Sequence, residues 1–453
     1  MGRRWIIKLL TIGGLMLLLL LPMAALRDLV SERQARGLEV AEGIAASSSR
    51  AQLLVGPLLL IEATRTLRRE RVVTENGSMR SVVESVKANE QVLVPPTQLV
   101  IDGNARSERR GRGVFTSLLY HSELDLAAQF ELPLPPIVEG DLLGYQINSM
   151  RVLLGVGDSR GIGSIKLTVG GEPLEVEPGA MGVAWQTQGL HADLPPALWS
   201  QRQLSTQTSL ALSGTDSLSV VPIGDETTVK LRSDWPHPGF AGEHLPSRRD
   251  ISASGFEADW NISRLASRAQ QSLAQCGTDS ADCYDLTQTA LSVRLVDPVD
   301  RYLLTERALK YALLFLALVF GAVFFVEALR QVEVHPIQYG LTGLALAVFY
   351  LLLLALAEHV GFALAYLFSA LACVAVIAPY MSAVLGDRKR GAGFAALVAA
   401  LYGLLYGVLQ SEDYALLTGA LALFALLAGV MMATRRLNWF ALHQASVSSS
   451  SSR

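Results

Sequence analysis

The sequence is poor in charged residues, and this shortage excludes whole classes of protein. Only 17% of its 453 residues are charged, while 51% are hydrophobic, and the mean hydropathy is +0.34. Soluble chains carry about 25% charged residues, so this composition predicts a membrane part joined to a sizeable water-soluble part. The net charge of -3 and the absence of a basic domain exclude a protein built to bind nucleic acid.

Cysteine is also scarce, with three residues in all. Cys373 lies in an apolar run, where it is most simply a small hydrophobic residue. Cys276 and Cys283 bound the polar stretch CGTDSADC, and no Cys or His stands at zinc-ligand spacing from them. In an oxidising compartment this pair would form a local disulfide; the alternative is two free thiols in a loop.

Motifs that carry catalysis or hold a cofactor are missing as well. There is no nucleophile elbow, no HExxH zinc motif and no dinucleotide-binding fingerprint, and no spacing of Ser, His and Asp selects a triad. The glycine-rich stretch GVGDSRGIG (155–163) lacks the Gly-Lys-Ser/Thr ending of a phosphate-binding loop, so it predicts a turn between strands. We therefore expect no enzyme, no cofactor and no metal.

What the sequence does have is apolar runs long enough to cross a bilayer, since a span needs about 20 residues. The first, within residues 1–26, follows the basic start MGRRWIIK, and its length favours an uncleaved anchor over a signal peptide. Five further runs lie at about 309–329, 337–357, 361–385, 392–410 and 414–433.

Lysine and arginine fall on alternate connections of these six predicted spans. Basic residues lie at the start of the first span and follow the second, fourth and sixth. The other short connections, at Glu358-His359 and at 412–413, contain neither Lys nor Arg. The positive-inside rule then predicts cytoplasmic termini and places residues 27–308 outside, in the periplasm of a bacterial inner membrane.

Residues 27–308 begin with helix-forming residues and continue as many short strands. The start, RDLVSERQARGLEVAEGIAASSS, predicts that the first helix extends beyond the membrane. From Gln52 onward, short apolar alternations broken by turn residues are typical of antiparallel strands, and Asn76-Gly77 predicts a two-residue hairpin. A sandwich-like all-β domain fits this pattern best.

The predicted fold class is therefore an α-helical membrane bundle of six spans plus a large all-β, sandwich-like periplasmic domain. The predicted domains are the N-terminal anchor (1–26), the periplasmic domain (27–308), a five-helix membrane domain (309–436) and a disordered cytoplasmic tail (437–453).

Two stretches of the outer domain are candidates for contacts with a partner. In SDWPHPGFAGEHLPSRRDIS (233–252), three prolines force an irregular loop, which could present a rigid interaction rim. Metal binding by its histidines and plain packing are the alternatives. The candidate interaction residues are Trp235, His237, Phe240 and His244. The basic stretch ARSERRGRG (105–113) predicts a solvated hairpin tip, with contact to anionic lipid or an envelope polymer as the alternative.

Few ionisable residues lie within the spans. Glu327 stands near the cytoplasmic end of the second span, where it can reach the interface. The missing mid-membrane charges argue against a proton-driven pump.

Glu358-His359 interrupts an apolar stretch too long for one span, so the pair marks the turn of a helical hairpin. A solvated turn is expected there, with a membrane-surface contact by Glu358 and His359 to the base of the outer domain as one alternative. A proton relay is the other.

Several blocks of the sequence together resemble one family. They include LVGPLLLIEAT, GDSRGIG, LSGTDSLSVVP, SDWPHPGF, SGFEADW, DRYLLTERALKYALLFLAL, HPIQYGLTGLAL and FYLLLLALAEHVGF. The chain resembles the CreD inner-membrane proteins, or cell envelope integrity proteins, of Gram-negative bacteria. The resemblance implies a role linked to a two-component regulatory system, to envelope integrity and to tolerance of certain colicins and β-lactams, without catalytic residues.

The expected function is a non-enzymatic inner-membrane factor of the envelope stress response. Its partners would be the lipid bilayer and, through the periplasmic domain, another envelope protein or polymer. A transport or export component is the alternative, and a periplasmic hydrolase is a third.

The periplasmic placement predicts that Cys276 and Cys283 are bonded to each other. Titration of the denatured protein should then find one free thiol before reduction and three after it, since the sequence has three cysteines. Three free thiols in the unreduced protein would contradict the bond.

Overall fold

The structure is a computed structural model that describes residues 3–75, 78–132, 142–179, 188–275, 284–297, 301–330 and 334–410, with residues 417, 420, 424, 428, 431 and 432. Its contacts divide the chain into two compact units. Residues 1–38 and 299–453 form the helical unit, and residues 39–298 form the β unit. Asn76, Gly77, Cys276, Cys283 and the tail 437–453 lie outside the described residues, as does most of 414–433.

The helical unit is built from long apolar helices, and helix α1 continues into the β unit. The helices are α1 (Arg3–Ser47), α4 (Arg301–Lys310), α5 (Ala312–Arg330), α6 (Pro336–Val360), α7 (Phe362–Val384) and α8 (Arg388–Gln410). Helix α6 starts at a capping box, in which the His335 ring accepts from the Ile337 amide and Gln338 Oε1 accepts from the His335 amide. It ends at Gly361, whose φ of 81° turns the chain into α7.

Four of these helices are long and apolar enough to cross a membrane within the described part of the chain: α1, α6, α7 and α8. Helices α4 and α5 provide a fifth if they form one span, bent by 46° between them. A multi-span helical part is thus confirmed, while six spans are not. The predicted hairpin turn after Glu358-His359 is confirmed at Gly361.

In its described residues the β unit contains two large sheets and, besides the end of α1, two short α-helices. Its strands are β1 (Gln52–Glu75), β2 (Ser78–Val94), β3 (Gln98–Arg112), β4 (Phe115–Glu131), β5 (Leu142–Gly155), β6 (Ile162–Val169), β7 (Glu172–Leu174), β8 (Glu177–Pro178), β9 (Gly189–Asp193), β10 (Gln203–Thr215), β11 (Ser217–Val220), β12 (Glu226–Ser233), β13 (Pro238–Gly242), β14 (Arg248–Ser252), β15 (Gly255–Ser263) and β16 (Leu291–Leu295). The helices are α2 (Ala269–Gln275) and α3 (Tyr284–Gln288).

The first sheet has the order β13-β16-β11-β1-β5-β9-β8, with β2 also paired to β1, and the second has the order β14-β15-β12-β3-β4-β10-β6-β7. Buried side chains of both belong to one hydrophobic cluster, for example Leu58 and Leu153 of the first sheet and Ile101 and Leu124 of the second. The prediction of a large β-sheet domain is confirmed, and the shared core is that of two packed layers.

The strand signal in the sequence is the alternation of buried and exposed residues. In β10, QLSTQTSLALSGT, every second side chain from Leu204 to Leu212 is buried, because successive side chains point to opposite faces of a sheet. The predicted hairpin at 76–77 is flanked by β1 and β2, whose pairing reaches Glu75 and Ser78. The predicted basic hairpin tip is also present, since β3 and β4 join at Gly113, where φ is 66°.

The two sheets are joined by a group of buried polar contacts, here named the Gln52 lock, which comprises Gln52, Asp158, Arg160 and Ser213. The Gln52 amide nitrogen donates to the carbonyl of Asp158 at 3.0 Å and to that of Ser213 at 2.8 Å. Its Oε1 accepts from the Asp158 amide at 3.1 Å. Gln52 begins β1 of the first sheet, and Ser213 lies in β10 of the second, so one side chain links both sheets to the GDSRGIG turn.

The carboxylate of Asp158 fixes the other side of the lock. It accepts from the Arg160 guanidinium at 2.5 and 2.9 Å and from the Arg50 amide at 3.0 Å. The bond to Arg160 lowers the pKa of Asp158 from 3.8 to about 2. Stabilisation by this carboxylate is therefore complete above pH 3.8 and is lost as the pH falls through about 2.

The GDSRGIG turn gives a matched pair of glycine substitutions. A methyl group on Gly161 would collide with the Ser213 carbonyl and the Gln52 amide, whereas one on Gly163 would lie 3.5 Å from Ala211 Cβ, an ordinary contact. Gly161→Ala should lower the stability of the full-length protein by about 2–3 kcal/mol through overpacking, and Gly163→Ala should change it little. Thermal unfolding in detergent measures both, and equal melting temperatures would contradict the lock.

Candidate functional site

The two aromatic residues predicted for an interaction rim point into the β unit. Trp235 is 7% exposed, and its indole nitrogen donates to the carbonyls of His237 at 3.1 Å and Val296 at 3.0 Å. The ring of Phe240 stands edge-on to those of Phe256 and Trp260, each at a centroid distance of 5.8 Å. Both side chains therefore contribute to packing in this part of the unit.

The two histidines of the same loop have different surroundings. His237 is exposed beside Trp235, with ring centroids 6.1 Å apart. The His244 carbonyl accepts from the Trp260 indole at 3.1 Å, and its Nε2 is buried without a hydrogen-bond partner in the described structure. Within the described residues no cluster of metal-ligating side chains is formed. An interaction role for the loop stays a prediction.

The structure gives the loop a contact that the sequence did not reveal. The Asp234 carboxylate accepts from the Ser107 amide at 2.8 Å, and the Arg109 guanidinium lies 5.3 Å from the centroid of the Trp235 ring. Arg109 also lies 3.8 Å from the Asp297 carboxylate. The loop thus holds the far end of β3 by a hydrogen bond and a cation–π contact, and Asp297 adds an ion pair from outside the loop.

In the helical unit, Glu358 is the centre of a polar cluster. Its Oε1 accepts from the Tyr302 hydroxyl at 3.1 Å and lies 3.9 Å from Arg33 Nε. Arg301 donates to the Glu358 carbonyl at 2.9 Å, which satisfies a free carbonyl at the end of α6. The carboxylate therefore joins α6 to α4 and to α1.

His359 does not share this site. Its ring is exposed, and Nδ1 lies 3.1 Å from the Ala355 carbonyl of the same helix. Neighbours in the sequence thus point in different directions, Glu358 towards other helices and His359 outwards. The membrane-surface role predicted for the pair stays a prediction.

A second polar cluster, which the sequence analysis missed, surrounds Glu327. This residue is only 4% exposed, although the sequence had suggested a side chain that reaches the interface. Its carboxylate pairs with the Lys8 ammonium, accepts from the Tyr339 hydroxyl at 2.9 Å and from the Val334 amide at 3.4 Å. Lys8 also donates to the Val334 carbonyl at 2.9 Å. The sequence did contain a signal for this cluster, because Lys8 is the lone lysine in the first span and therefore needs a polar partner.

The two clusters lie near opposite ends of the same helices. Lys8 and Arg33 are 25 residues apart on α1 (33 minus 8), which corresponds to about 38 Å of helix. Tyr339 and Glu358 are 19 residues apart on α6 (358 minus 339), or about 28 Å. A bilayer has a hydrocarbon core of about 30 Å, so the clusters bracket one membrane thickness.

Between these ends, the interior of α6, α7 and α8 is aromatic and carries hydroxyl groups. The Tyr402 hydroxyl donates to Cys373 Sγ at 3.1 Å, and the Tyr366 hydroxyl donates to the Tyr402 carbonyl at 2.7 Å. The hydroxyls of Tyr350 and Ser369 are buried without hydrogen-bond partners in the described structure. The stretches 336–357, 361–386 and 391–410 contain no Asp, Glu, Lys or Arg.

The Glu327 cluster allows a test with a rescuing variant. Glu327→Leu leaves the Lys8 ammonium buried without its carboxylate, which should cost about 3–5 kcal/mol and lower the yield of folded protein. Lys8→Met combined with Glu327→Leu should recover most of the loss. Folded yield and melting temperature in detergent measure both.

The exposed pair of Glu306 and Lys310, 3.0 Å apart on α4, is the control. Glu306→Gln should change stability by less than about 0.5 kcal/mol. If the single Glu327 variant were as stable as this control, the cluster would not hold α1 in place.

Matches to known proteins show the family of this chain. The Inner membrane protein CreD of Escherichia coli (strain K12) is 37% identical over 437 residues, which are 96% of this chain and 93% of that protein. Among solved structures, an M1 zinc metallopeptidase variant from Deinococcus radiodurans with a bound Tyr-Ser-Ala substrate matches 44% of this chain and 42% of its own, at 11% identity and a TM-score of 0.23. Residues 4–440 match the family described as Inner membrane protein CreD, and the chain belongs to that family.

Proposed function

We propose that the protein is a non-enzymatic factor of envelope integrity and stress response, with the β unit in the periplasm as an interaction module. The helices anchor this unit in the inner membrane and keep both termini in the cytoplasm. Tolerance of colicins and β-lactams, and control by a two-component system, are part of the proposal through the family resemblance. The supporting observation is the insertion of the β unit, residues 39–298, between the two parts of the helical unit, residues 1–38 and 299–453.

The distribution of charge supports the periplasmic side. Three basic residues lie at the start of α8: Arg388, Lys389 and Arg390. Helix α7 separates them from Glu358 at the end of α6, so the basic residues and Glu358 lie at opposite ends of α7 in the sequence. The amino-terminal basic residues precede the apolar part of α1. The arginines that flank the β unit are weak evidence about orientation, because the positive-inside rule applies to short connections between spans.

The polar contacts of Glu358 support an anchoring role for the outer ends of the helices. They tie α4, which follows the β unit, to α1, which precedes it. We propose that this cluster lies at the periplasmic membrane surface. There an ionised carboxylate avoids the cost of the bilayer centre, about 2.5–3.5 kcal/mol or more.

A transport or export component is the second candidate function. The hydroxyls of Tyr350 and Ser369 favour it, because they have no hydrogen-bond partner among the described residues and place polar atoms inside the bundle. The absence of Asp, Glu, Lys and Arg from the middle of α6, α7 and α8 weighs against coupling to an ion gradient. The interaction module is therefore the better supported of the two.

The placement is tested with single cysteines in a background without Cys276, Cys283 and Cys373. Leu265, which is 93% exposed in the β unit, is changed to Cys in one variant and Lys389 in another. A membrane-impermeant maleimide should label Leu265→Cys in cells with a permeabilised outer membrane and Lys389→Cys only after lysis. The reverse pattern would overturn the proposed orientation.

The interaction is tested at the same two positions with a photo-reactive residue. Crosslinks to an envelope protein or polymer are expected from position 265 and not from position 389. The helices are also expressed without the β unit in a deletion strain under envelope stress. If they restored growth, the proposed interaction role of the β unit would be wrong.

A further inference from the structure

The far end of the hairpin formed by β3 and β4 projects beyond its sheet neighbours. Pairing of β3 with β12 stops at Ala105, and pairing of β4 with β10 stops at Leu119. Beyond these residues the two strands pair only with each other in the described structure. We name residues 106–118 the β3–β4 arm.

The arm carries a concentrated positive charge. Its sequence RSERRGRGVFTSL contains four arginines and one glutamate, a net charge of +3 (4 minus 1). The Arg109 and Arg110 side chains are 60% and 49% exposed, and Arg106 and Arg112 are exposed as well. Neither Arg106 nor Arg112 has a carboxylate within ion-pair distance among the described residues.

Contacts within the β unit hold the arm beside the two segments that lead towards the membrane helices. A methyl group built on Gly43, in the last turns of α1, would lie 3.6 Å from Arg112 Nη1. Arg109 is held by Asp297 and by the Trp235 ring. Asp297 is four residues before Arg301, the first residue of α4. Both neighbours of the arm are therefore close in sequence to predicted spans.

We propose that the β3–β4 arm binds the phosphate groups of anionic phospholipids at the outer surface of the inner membrane. Guanidinium groups match phosphate oxygens with paired hydrogen bonds. Each basic side chain near an anionic bilayer contributes about 1 kcal/mol, a factor of about five in affinity. The inference rests on the proposed function, because the arm meets a bilayer only if α1 and α4–α8 span it.

The test measures hydrogen exchange of residues 106–118 in the full-length protein in nanodiscs. Phosphatidylglycerol added to phosphatidylcholine should slow exchange in the arm about fivefold or more, and high salt should abolish the difference. Equal exchange in neutral and anionic nanodiscs would overturn the proposal. A separate measurement adds inorganic phosphate to neutral nanodiscs. Equal slowing of exchange there would indicate a site for free phosphate and would also overturn the proposal.

Two variants separate the arm from general surface charge. Arg106→Gln, Arg110→Gln and Arg112→Gln together should abolish the lipid effect, while Arg109 is kept because it holds the arm. Arg248→Gln with Arg249→Gln, on the exposed strand β14, is the matched control and should retain the effect. Loss in both variants would show a non-specific response. Nanodiscs expose both bilayer faces, so this result is independent of the orientation tested by maleimide labelling.

Discussion

The carboxamide of Gln52 joins the start of β1 to two segments that lie 106 and 161 residues further along the chain. It is 1% exposed and makes three hydrogen bonds, to the GDSRGIG turn and to the end of β10. A buried amide without these partners would cost about 1–3 kcal/mol, so the two sheets are held in one relative position. Helix α1 ends at Ser47, five residues before Gln52, so the lock lies directly after this helix in the sequence.

The helical unit uses the same principle at its two ends. Helix α1 is separated from α4 by the whole β unit in sequence, and apolar packing inside lipid provides no hydrophobic driving force for bringing them together. Glu327 with Lys8 at one end, and Glu358 with Arg33 at the other, supply specific polar contacts instead. The long interval in the chain is thereby bridged at two levels about one bilayer apart.

These contacts also give physical meaning to the sequence blocks that resemble the family. GDSRGIG and LSGTDSLSVVP meet at the Gln52 lock. SDWPHPGF meets SGFEADW through Phe240, Phe256 and Trp260. DRYLLTER meets AEHVGF through Tyr302 and Glu358. These six blocks therefore contain residues that contact one another in pairs.

The sequence by itself determined the apolar helices, the strand-rich segment, the pairing of β1 with β2, the basic tip and the turn at Gly361. Each follows from local periodicity, from glycine or from the length of an apolar run. Only the tertiary structure decided that Trp235 and Phe240 point inwards and that Lys8 pairs with Glu327. It also decided that the Glu358 side chain contacts other helices while that of His359 is exposed. Those outcomes depend on contacts between residues distant in the chain, and local patterns carry no information about which distant polar groups will satisfy each other when buried.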